Sequence, residues 1–303
     1  MQWQWKKRAM EQFLFHIISA VFRVIGLVPL HPAEKFSRWL GRLWFLLDRR
    51  HRQVAINNLT YVFGYEKSPG QIRQMARRIF GNLIMILFEV GWSYRAAPEE
   101  IARHIRFDGV RHLHAAHRRG RGVLVLTGHL GSWELLADAA GMLGYPINVV
   151  YRPFDFKPLD KFFERFRGRS GAQLFSKARS MRKILRSLKK NELVGILLDQ
   201  NTPRRAGVFV DFFGKPASTN KGLALIAQKM RVPVVPIFLV READTYRMRV
   251  GPEIPLIETG DKHRDVLENT RQYNRVLEAM IYRYPEQWFW VHRRWKTRPK
   301  NED

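Results

Sequence analysis

Two patterns of hydrophobic positions follow one another along the chain. Up to about residue 104, apolar residues recur at the spacing of helices. From about Ile105 onward, short apolar runs alternate with helical patterns, which is typical of a parallel or mixed sheet with helices on its faces. We therefore predict an α/β fold, in which a mixed, mostly parallel sheet is flanked by helices and preceded by N-terminal helices.

The same pattern places the individual elements. The predicted strands are 105–108, 122–127, 147–151, 193–198, 232–240 and 245–250. The predicted helices of this region are 110–118, 132–143, 158–168, 178–190, 220–230 and 263–283. No Gly- or Pro-rich linker interrupts the chain. We divide it into membrane-associating helices at 1–50 and an α/β domain at 51–303, with a helical lead-in at 51–104.

The first apolar segment lies near the N-terminus. Residues 13–30 are mostly apolar, and Trp3 and Trp5 precede them beside a short cationic run. The segment is at the short end for a membrane span, and Arg23 near its middle is costly in lipid. Cations on both sides leave its orientation open. We interpret it as a helix embedded in or lying on a membrane; a true span and an ordinary core helix remain as alternatives.

A second amphipathic pattern covers residues 33–47. Trp39 and Leu43 lie on an apolar helical face opposite Arg38 and Arg42. Such a face either packs on a core or lies on lipid, and the pattern alone does not separate the two.

A capping-box sequence follows at Ser68 to Gln71, with Pro69 at the first helical position. It predicts the start of a helix whose apolar residues continue at helical spacing. Glu89 lies inside that apolar run, and we expect it to pair with an arginine rather than to act in catalysis.

Residues 124–136 carry the candidate chemistry. The apolar strand pattern breaks at Thr127-Gly128 and resumes as a helix, which places His129 in the connecting loop and Glu134 in the first helical turns. Such loops lie at the carboxyl edge of the sheet, where α/β proteins bind ligands. If the loop swings the imidazole back over the helix, Glu134 can hold one ring nitrogen while the other faces a cleft, as in a general base oriented by a carboxylate. Alternatively, Glu134 only complements the helix dipole.

Polar residues also follow other predicted strands. Arg152 comes directly after 147–151, where its planar fork can bind phosphate or carboxylate; a surface salt bridge is the alternative. Asp199 and Gln200 follow the apolar strand at 193–198 and either close a turn or line a site.

Composition limits the classes of partner and the chemistry that the chain can use. The chain has 53 Lys and Arg against 27 Asp and Glu, and this net charge of +26 calls for nucleic acid, anionic lipid or an acidic protein. The C-terminal segment 285–296 mixes three tryptophans with a cationic run, which we expect at a lipid headgroup surface. Nucleic acid also fits that tail, but no nucleic-acid-binding motif accompanies it. The absence of cysteine excludes disulfides, thiol catalysis and cysteine-ligated metals.

Taken in order, these motifs resemble those of the bacterial lipid A late acyltransferases, the lauroyl and myristoyl transferases of the lysophospholipid acyltransferase-like superfamily. The matching segments are His129 with Glu134, Arg152, Asp199-Gln200, Phe212-Phe213-Gly214 and the Trp- and Arg-rich segment from Glu286 to Trp295. The resemblance covers most of the chain. Ser132 departs from it, because the family more often has Asn before Trp-Glu.

The resemblance implies an enzyme of lipopolysaccharide biosynthesis at the cytoplasmic face of the bacterial inner membrane. It would move an acyl chain from the phosphopantetheine thioester of acyl carrier protein to a hydroxyl of a lipid A precursor, an acylated and phosphorylated glucosamine disaccharide. No other cofactor and no metal would be needed. The positive charge suits an acidic carrier protein and an anionic membrane, and we expect no nucleic acid partner.

In this scheme His129 is the general base and Glu134 orients it. Arg152 binds a substrate phosphate, and Asp199 and Gln200 form the far wall of the cleft. Backbone N–H groups near Gly131 are candidate oxyanion donors. Two alternatives remain: the same chemistry on another membrane lipid or glycolipid, and a non-catalytic protein that binds membranes or nucleic acid.

Overall fold

The computed structural model describes residues 2–176, 180–243 and 245–299, apart from the side chains of residues 2–4 and 6. The helices are α1 (Gln2–Ile25), α2 (Leu30–Leu47), α3 (Arg49–Phe63), α4 (Pro69–Arg95), α5 (Pro98–His104), α6 (Val110–His117), α7 (Leu136–Met142), α8 (Lys157–Gly168), α9 (Met181–Lys189), α10 (Gly222–Met230) and α11 (Lys262–Arg283). The strands are β1 (Ile105–Asp108), β2 (Val123–Thr127), β3 (Ile147–Tyr151), β4 (Leu174–Ser176), β5 (Leu193–Leu197), β6 (Gly207–Phe212), β7 (Lys215–Asn220), β8 (Val234–Glu242) and β9 (Thr245–Val250).

The main sheet has the strand order β1-β9-β8-β2-β5-β3-β4. Its neighbours pair in parallel except β8 and β9, which form an antiparallel pair. All five residues of β2 are buried, as expected for a central parallel strand covered on both faces. The prediction of a mixed, mostly parallel sheet flanked by helices is confirmed.

Three parts of this region differ from the sequence prediction. Strand β4 and the β6–β7 hairpin were not predicted. The predicted helix 132–143 divides into a 3₁₀ turn at Trp133–Leu135 and α7. The helix predicted at 178–190 begins at Met181; its first two positions lie outside the described residues.

Helix α4 is the support on which α1 and α2 pack. It begins with the predicted capping box, in which Ser68 accepts from the Gln71 N–H. Two glycine contacts allow close crossings. A Cβ on Gly26, just after α1, would lie 2.1 Å from the Gly91 carbonyl oxygen, and a Cβ on Gly41 of α2 would lie 2.3 Å from the Gly81 nitrogen. The predicted boundary between 1–50 and 51–303 stays a prediction.

Helices α1 and α2 bury one side and expose the other. Phe15 and Phe22 belong to the core, and Phe22 stacks on Phe162 with ring centroids 4.4 Å apart. The outer side, here called the exposed apolar face, comprises Phe13, Ile17, Val21, Val24 and Leu27 of α1 and the following turn, and Phe36, Trp39, Leu43, Leu46 and Leu47 of α2. These side chains are 39% to 81% exposed. Among the described residues no single helix is long and apolar enough to cross a membrane. Residues Lys7–Ile25 and Leu30–Leu47 meet that criterion as a pair, bent by 113°.

Trp288 and Trp290 of the C-terminal segment lie in the core, and Trp295 packs partly buried against it, so the prediction that this segment faces lipid headgroups is wrong for Trp288 and Trp290. Trp288 and Trp290 are 1% and 0% exposed, and their rings meet edge to face at 4.6 Å. Trp290 donates its indole N–H to the Pro285 carbonyl at 2.6 Å. Trp288 donates its indole N–H to Asp199 at 2.7 Å. Since both of these indoles have a polar partner and an aromatic neighbour, burial is more favourable for them than a place at a membrane interface.

Arg294 of the same segment is also fully buried. It donates to the Ser218 carbonyl at 2.9 Å and to Thr219 Oγ1 at 2.6 Å, and it lies over the Phe212 ring at 4.6 Å. Ser218 and Thr219 lie in β7, where they hold this guanidinium. Hydrogen bonds to two oxygens and the ring face offset the cost of burying the charge.

Candidate active site

His129 lies two residues beyond the end of β2, in a loop held at several points of its backbone. Gly131 has φ +66°, and a Cβ there would lie 2.2 Å from the Leu239 carbonyl oxygen, so the turn requires glycine. The His129 carbonyl accepts from the Phe289 N–H at 3.1 Å. The imidazole remains accessible, with 23% of the side chain exposed.

Asp199 holds His129. Its Oδ1 lies 2.9 Å from His129 Nδ1, and its Oδ2 accepts from the His129 backbone N–H at 2.8 Å. The Trp288 indole N–H donates to the same Oδ2 at 2.7 Å. A carboxylate at Nδ1 places the proton there and leaves Nε2 with a free lone pair. This geometry is that of a general base fixed in one tautomer.

Strand register explains why these two residues meet. Thr127 of β2 pairs with Leu197 of β5, so His129 and Asp199 each lie two residues beyond a paired position. Gly128 leaves room for the contact, because a Cβ there would lie 3.1 Å from Asp199 Cγ.

The electrostatics keep Asp199 ionised. Burial by itself would raise the pKa of this carboxyl, but the attraction of a protonated His129 and hydrogen bonds from His129 and Trp288 outweigh it and lower the pKa to about 2. His292 is partly buried nearby and accepts from the Asn201 N–H at 2.9 Å. Burial lowers the pKa of His292 to about 4, so it is neutral at physiological pH and can accept this bond.

Glu134 is engaged elsewhere, so the predicted hydrogen bond between His129 and Glu134 is wrong. Both Glu134 oxygens accept from the Arg167 fork, at 2.7 and 2.8 Å, and Oε1 also accepts from the Trp133 indole at 3.2 Å. Glu134 lies five residues beyond His129, where the predicted helix begins. In the structure this helix starts as a 3₁₀ turn, and the turn directs the Glu134 carboxylate toward α8. Burial would raise the Glu134 pKa, but the charge and hydrogen bonds of Arg167 lower it below its ordinary value. An ionised Glu134 still lines the cleft beside His129.

A cleft of about 720 Å³ opens beside His129 at the carboxyl edge of the sheet. Glu134, Arg152, Arg167 and Gln200 are polar members of its lining. Its apolar lining includes Val125, Val149, Ile184, Leu223, Ile226 and Phe289. A mostly apolar cleft with a few polar groups at one wall suits a ligand with a reactive polar end and a hydrocarbon chain.

The amide nitrogen of Gln200 lies 3.4 Å from His129 Nε2. The predicted oxyanion donors are taken: the N–H groups of Leu130, Gly131 and Ser132 donate to the carbonyls of Gly128, Gln287 and Leu239 at 2.8 to 3.0 Å. A side-chain donor such as Gln200 is therefore a better candidate than the backbone near Gly131.

Arg152 lines the same cleft, but most of its side chain is exposed to solvent. Its side chain is 79% exposed, and NH2 is 3.7 Å from Oδ1 of Asp155, itself 95% exposed. This matches the surface salt bridge that the sequence had left as an alternative. Its predicted contact with substrate phosphate stays a prediction.

Glu89 is fully buried and forms a hydrogen bond with the loop that follows His129. Its Oε1 accepts from Ser132 Oγ at 2.8 Å and lies 2.9 Å from Arg241 Nε, which confirms the expected pairing with an arginine. Burial raises the pKa of Glu89, and the charge of Arg241 opposes that rise.

Sequence reasoning missed four residues of this region: Arg167, Trp288, His292 and Arg294. The last three were seen only as parts of an aromatic, cationic tail. Arg167 follows buried Phe166 in an arginine-rich helix end, and nothing local distinguishes it from Arg165 or Arg169. Within the described residues there is no group of three or more His, Asp or Glu side chains arranged to hold a metal ion.

Comparison with known proteins assigns the family. The chain matches the family model of bacterial lipid A biosynthesis acyltransferases over residues 1–297. It is 30% identical over 286 residues to the lipid A biosynthesis lauroyltransferase of Escherichia coli (strain K12), an alignment that covers 93% of this chain and 91% of that protein. It is 28% identical over 257 residues to the lipid A biosynthesis palmitoleoyltransferase of the same organism, covering 84% and 81%. It is 25% identical over 287 residues to a lipid A biosynthesis acyltransferase of Haemophilus influenzae, covering 92% and 86%. The chain therefore belongs to the bacterial lipid A biosynthesis acyltransferase family and is an acyltransferase of lipid A synthesis.

Proposed function

We propose that this enzyme transfers an acyl chain from the thioester of acyl carrier protein to a hydroxyl of a lipid A precursor, with His129 as the general base. The observation that carries this proposal is the Asp199 contact to Nδ1, which leaves Nε2 of His129 basic at the mouth of an apolar cleft. A thioester and an alcohol react by this route without a cysteine or a second cofactor.

The reaction proceeds in two steps. Nε2 of His129 takes the proton of the acceptor hydroxyl while that oxygen attacks the thioester carbonyl, and the carbonyl oxygen becomes an oxyanion. When the tetrahedral intermediate collapses, the C–S bond breaks and the imidazolium returns its proton to the departing phosphopantetheine thiolate. General base catalysis of this kind contributes about 10²–10⁴-fold.

Three side chains assist these steps. Asp199 fixes the tautomer and stabilises the imidazolium through Nδ1, in place of Glu134, to which the sequence had assigned this role. Glu134 adds a second negative charge beside the imidazolium and holds Arg167 in the cleft wall. The amide of Gln200 donates to the oxyanion.

The surface suits the expected partners. Acyl carrier proteins are acidic, and the lipid A precursor carries phosphate, so a net charge of +26 attracts both. The exposed apolar face of α1 and α2 suits the bilayer that holds the acceptor. We therefore propose that the enzyme lies at the cytoplasmic face of the inner membrane. The cleft beside His129 would then be open to the acyl donor.

Replacing the base tests the mechanism. His129→Ala should lower kcat by about 10²–10⁴-fold with acyl carrier protein donor, because no other base replaces Nε2. His263→Ala, at an exposed position on α11, is the matched control and should keep wild-type turnover. If folded His129→Ala protein turned over within about tenfold of wild type, His129 would not be the base.

The acceptor and the membrane need separate tests. Lipid A from a strain lacking this protein should be short of one acyl chain by mass spectrometry. Intact lipid A with an altered membrane lipid would identify a different acceptor.

Membrane contact is better tested by point substitutions than by truncation, because removal of residues 1–30 would also remove core residues Phe15 and Phe22. A Phe13→Ser, Ile17→Ser, Val24→Ser variant changes only exposed positions, and it should release the protein from neutral vesicles. Unchanged retention would count against membrane contact through this face.

A further inference from the structure

A second large cavity lies outside the catalytic cleft, between α2, α4 and the β8–β9 turn. Its volume is about 1300 Å³, and its lining has no residue in common with the cleft beside His129. Six arginines line it, and we call the cavity the arginine groove: Arg38, Arg42, Arg77, Arg78, Arg95 and Arg241. The glutamates of the lining are Glu34, Glu100 and Glu286, half as many.

Half of these arginines have a carboxylate partner. Arg38 pairs with Glu34, Arg78 pairs with Glu286 at 2.6 Å, and Arg241 pairs with Glu89 at 2.9 Å.

The other three, Arg42, Arg77 and Arg95, have no carboxylate partner at ion-pair distance among the described residues. Arg95 donates to the Gly26 carbonyl at 2.8 Å, and Arg77 lies over the Phe45 ring at 5.7 Å. Like charges that face one cavity repel each other unless an anion enters, and the planar guanidinium fork matches phosphate oxygens.

Helix geometry places this charge at the border of the exposed apolar face. Consecutive helical residues point about 100° apart, so Arg38 and Arg42 stand beside the exposed Trp39 and Leu43 around the α2 axis. A helix that lies with its apolar side in the acyl region holds such flanking cations at headgroup level. Leu27, which is 61% exposed, belongs both to the apolar face and to the lining of the groove.

We propose that the arginine groove binds the phosphate headgroup of an anionic membrane lipid, in the bilayer that the exposed apolar face contacts. The proposal rests on the membrane placement proposed above and adds a phosphate site to it. A lipid fits better than a folded acidic protein, because the site is a concave groove in which Leu30 and Met85 lie beside the arginines. This combination suits a phosphate with the first carbons of an acyl chain.

The experiment is flotation of the full-length protein with two kinds of vesicle: pure phosphatidylcholine, and phosphatidylcholine with phosphatidylglycerol. The test variant is Arg42→Gln/Arg77→Gln. The matched control is Arg118→Gln/Arg121→Gln, which removes the same charge from exposed positions next to the amino end of β2, at the opposite edge of the sheet from His129.

We expect the test variant to bind anionic vesicles about 20- to 30-fold more weakly than wild type, since each cation near an anionic surface contributes about fivefold, equivalent to about 1 kcal/mol. The control should change by less than about twofold, because neither of its arginines lines the groove and charges away from the bound surface are screened. Equal losses in the test and control variants would show only general charge attraction and would refute a site.

Three further arms identify the ligand. Arg42→Lys/Arg77→Lys keeps the charge but loses the fork, so a phosphate site should still weaken by about threefold or more, whereas diffuse attraction would not change. If wild type bound inorganic phosphate tightly while the Gln variant kept full vesicle binding, the ligand would be a soluble anion and the lipid assignment would be wrong. Loss of carrier protein binding with vesicle binding intact would likewise reassign the groove to a protein partner.

Failure of this inference is separable from failure of the proposed function. Binding to pure phosphatidylcholine reports the apolar face, and transfer to a detergent-dispersed acceptor reports the catalytic cleft. Both should be unchanged in Arg42→Gln/Arg77→Gln, because neither arginine lines the cleft or belongs to the apolar face.

Discussion

Asp199→Asn should inactivate the enzyme and leave it folded, because three donors share this carboxylate. Oδ1 lies 2.9 Å from His129 Nδ1, while Oδ2 accepts from the His129 N–H at 2.8 Å and the Trp288 indole at 2.7 Å. The backbone and the indole can only donate, so an asparagine must turn its one oxygen toward them and its NH₂ toward Nδ1. The imidazole then accepts at Nδ1 and carries its proton on Nε2, where it cannot deprotonate a hydroxyl.

The expected loss in kcat is about 10³–10⁴-fold, the effect of holding a catalytic histidine in the wrong tautomer. The effect on stability is smaller. The Asp199 pKa falls from 3.8 to about 2 in the folded protein. A shift of that size corresponds to about 2 kcal/mol of stability from the ionised form. Because the folded-state pKa is the lower one, this stability is complete above the unfolded pKa of about 4 and disappears as the pH falls through about 2.

Two measurements separate catalysis from folding. Turnover is measured with radiolabelled acyl carrier protein donor and lipid A precursor, and the free energy of unfolding is measured by urea denaturation between neutral and acidic pH. Asparagine resembles the protonated acid, so the variant should be about 2 kcal/mol less stable at neutral pH and equal to wild type near pH 2.

The control is Asp265→Asn. Asp265 is also buried and accepts from the N–H and hydroxyl of Thr259 and from Gln228, but on α11 and outside the cleft lining. It should lose stability yet keep kcat within about twofold, as expected for a site distant from the reacting groups. A folded Asp199→Asn enzyme with kcat within about tenfold of wild type would refute the tautomer argument.

Three further changes probe the cleft in the same steady-state assay. Glu134→Gln should lower kcat by about 10- to 100-fold, because the negative charge beside the imidazolium is lost while Arg167 keeps a neutral acceptor; wild-type kcat would leave Glu134 a structural partner of Arg167 only. Gln200→Ala should lower kcat by about 100-fold with little change in KM, and an unchanged kcat would mean that its amide does not donate to the oxyanion. Arg152→Lys should change either constant by less than about twofold at any salt concentration, because a 79% exposed cation is screened over about 8–10 Å and acts on encounter. Added salt should raise KM for the carrier protein in both enzymes and leave kcat nearly constant; a large kcat loss in Arg152→Lys would place this arginine at the substrate.

The strands of the main sheet were predictable where local pattern and tertiary burial agree. β2 is apolar up to Thr127 and buried along its whole length, and its prediction needed no knowledge of its neighbours. β7 (Lys215–Asn220) was not predicted, because its sequence is mostly polar, yet three of its residues are buried. Its burial depends on Arg294 and on Asn274 of α11, which are distant in sequence. No local pattern carries that information.

The C-terminal segment shows how composition misleads about location. Tryptophan and arginine together are typical of a membrane interface, and the sequence alone cannot tell whether their polar atoms find partners inside the protein. Here the Trp288 indole donates to Asp199 and the Arg294 guanidinium to Ser218 and Thr219, so the segment closes the core behind the catalytic loop. The exposed tryptophans lie instead in the N-terminal helices: Trp5 of α1 is 72% exposed and Trp39 of α2 is 55% exposed.

The sequence proposed His129 as the base but did not predict its contact with Asp199, and the strand register explains why that contact was missed. A strand, a glycine turn and a helix marked His129, because that signal is contained in neighbouring residues. Its carboxylate was sought at Glu134 for the same reason, although a helix start need not aim that side chain at the loop. Asp199 was noted only as a residue after a strand, since its contact requires that β5 lie next to β2 and that Thr127 pair with Leu197. Once that register is known, equal offsets of two residues bring Asp199 to His129. In a parallel sheet, a partner for a catalytic loop residue is therefore better sought at the same offset beyond the adjacent strand than along the following helix.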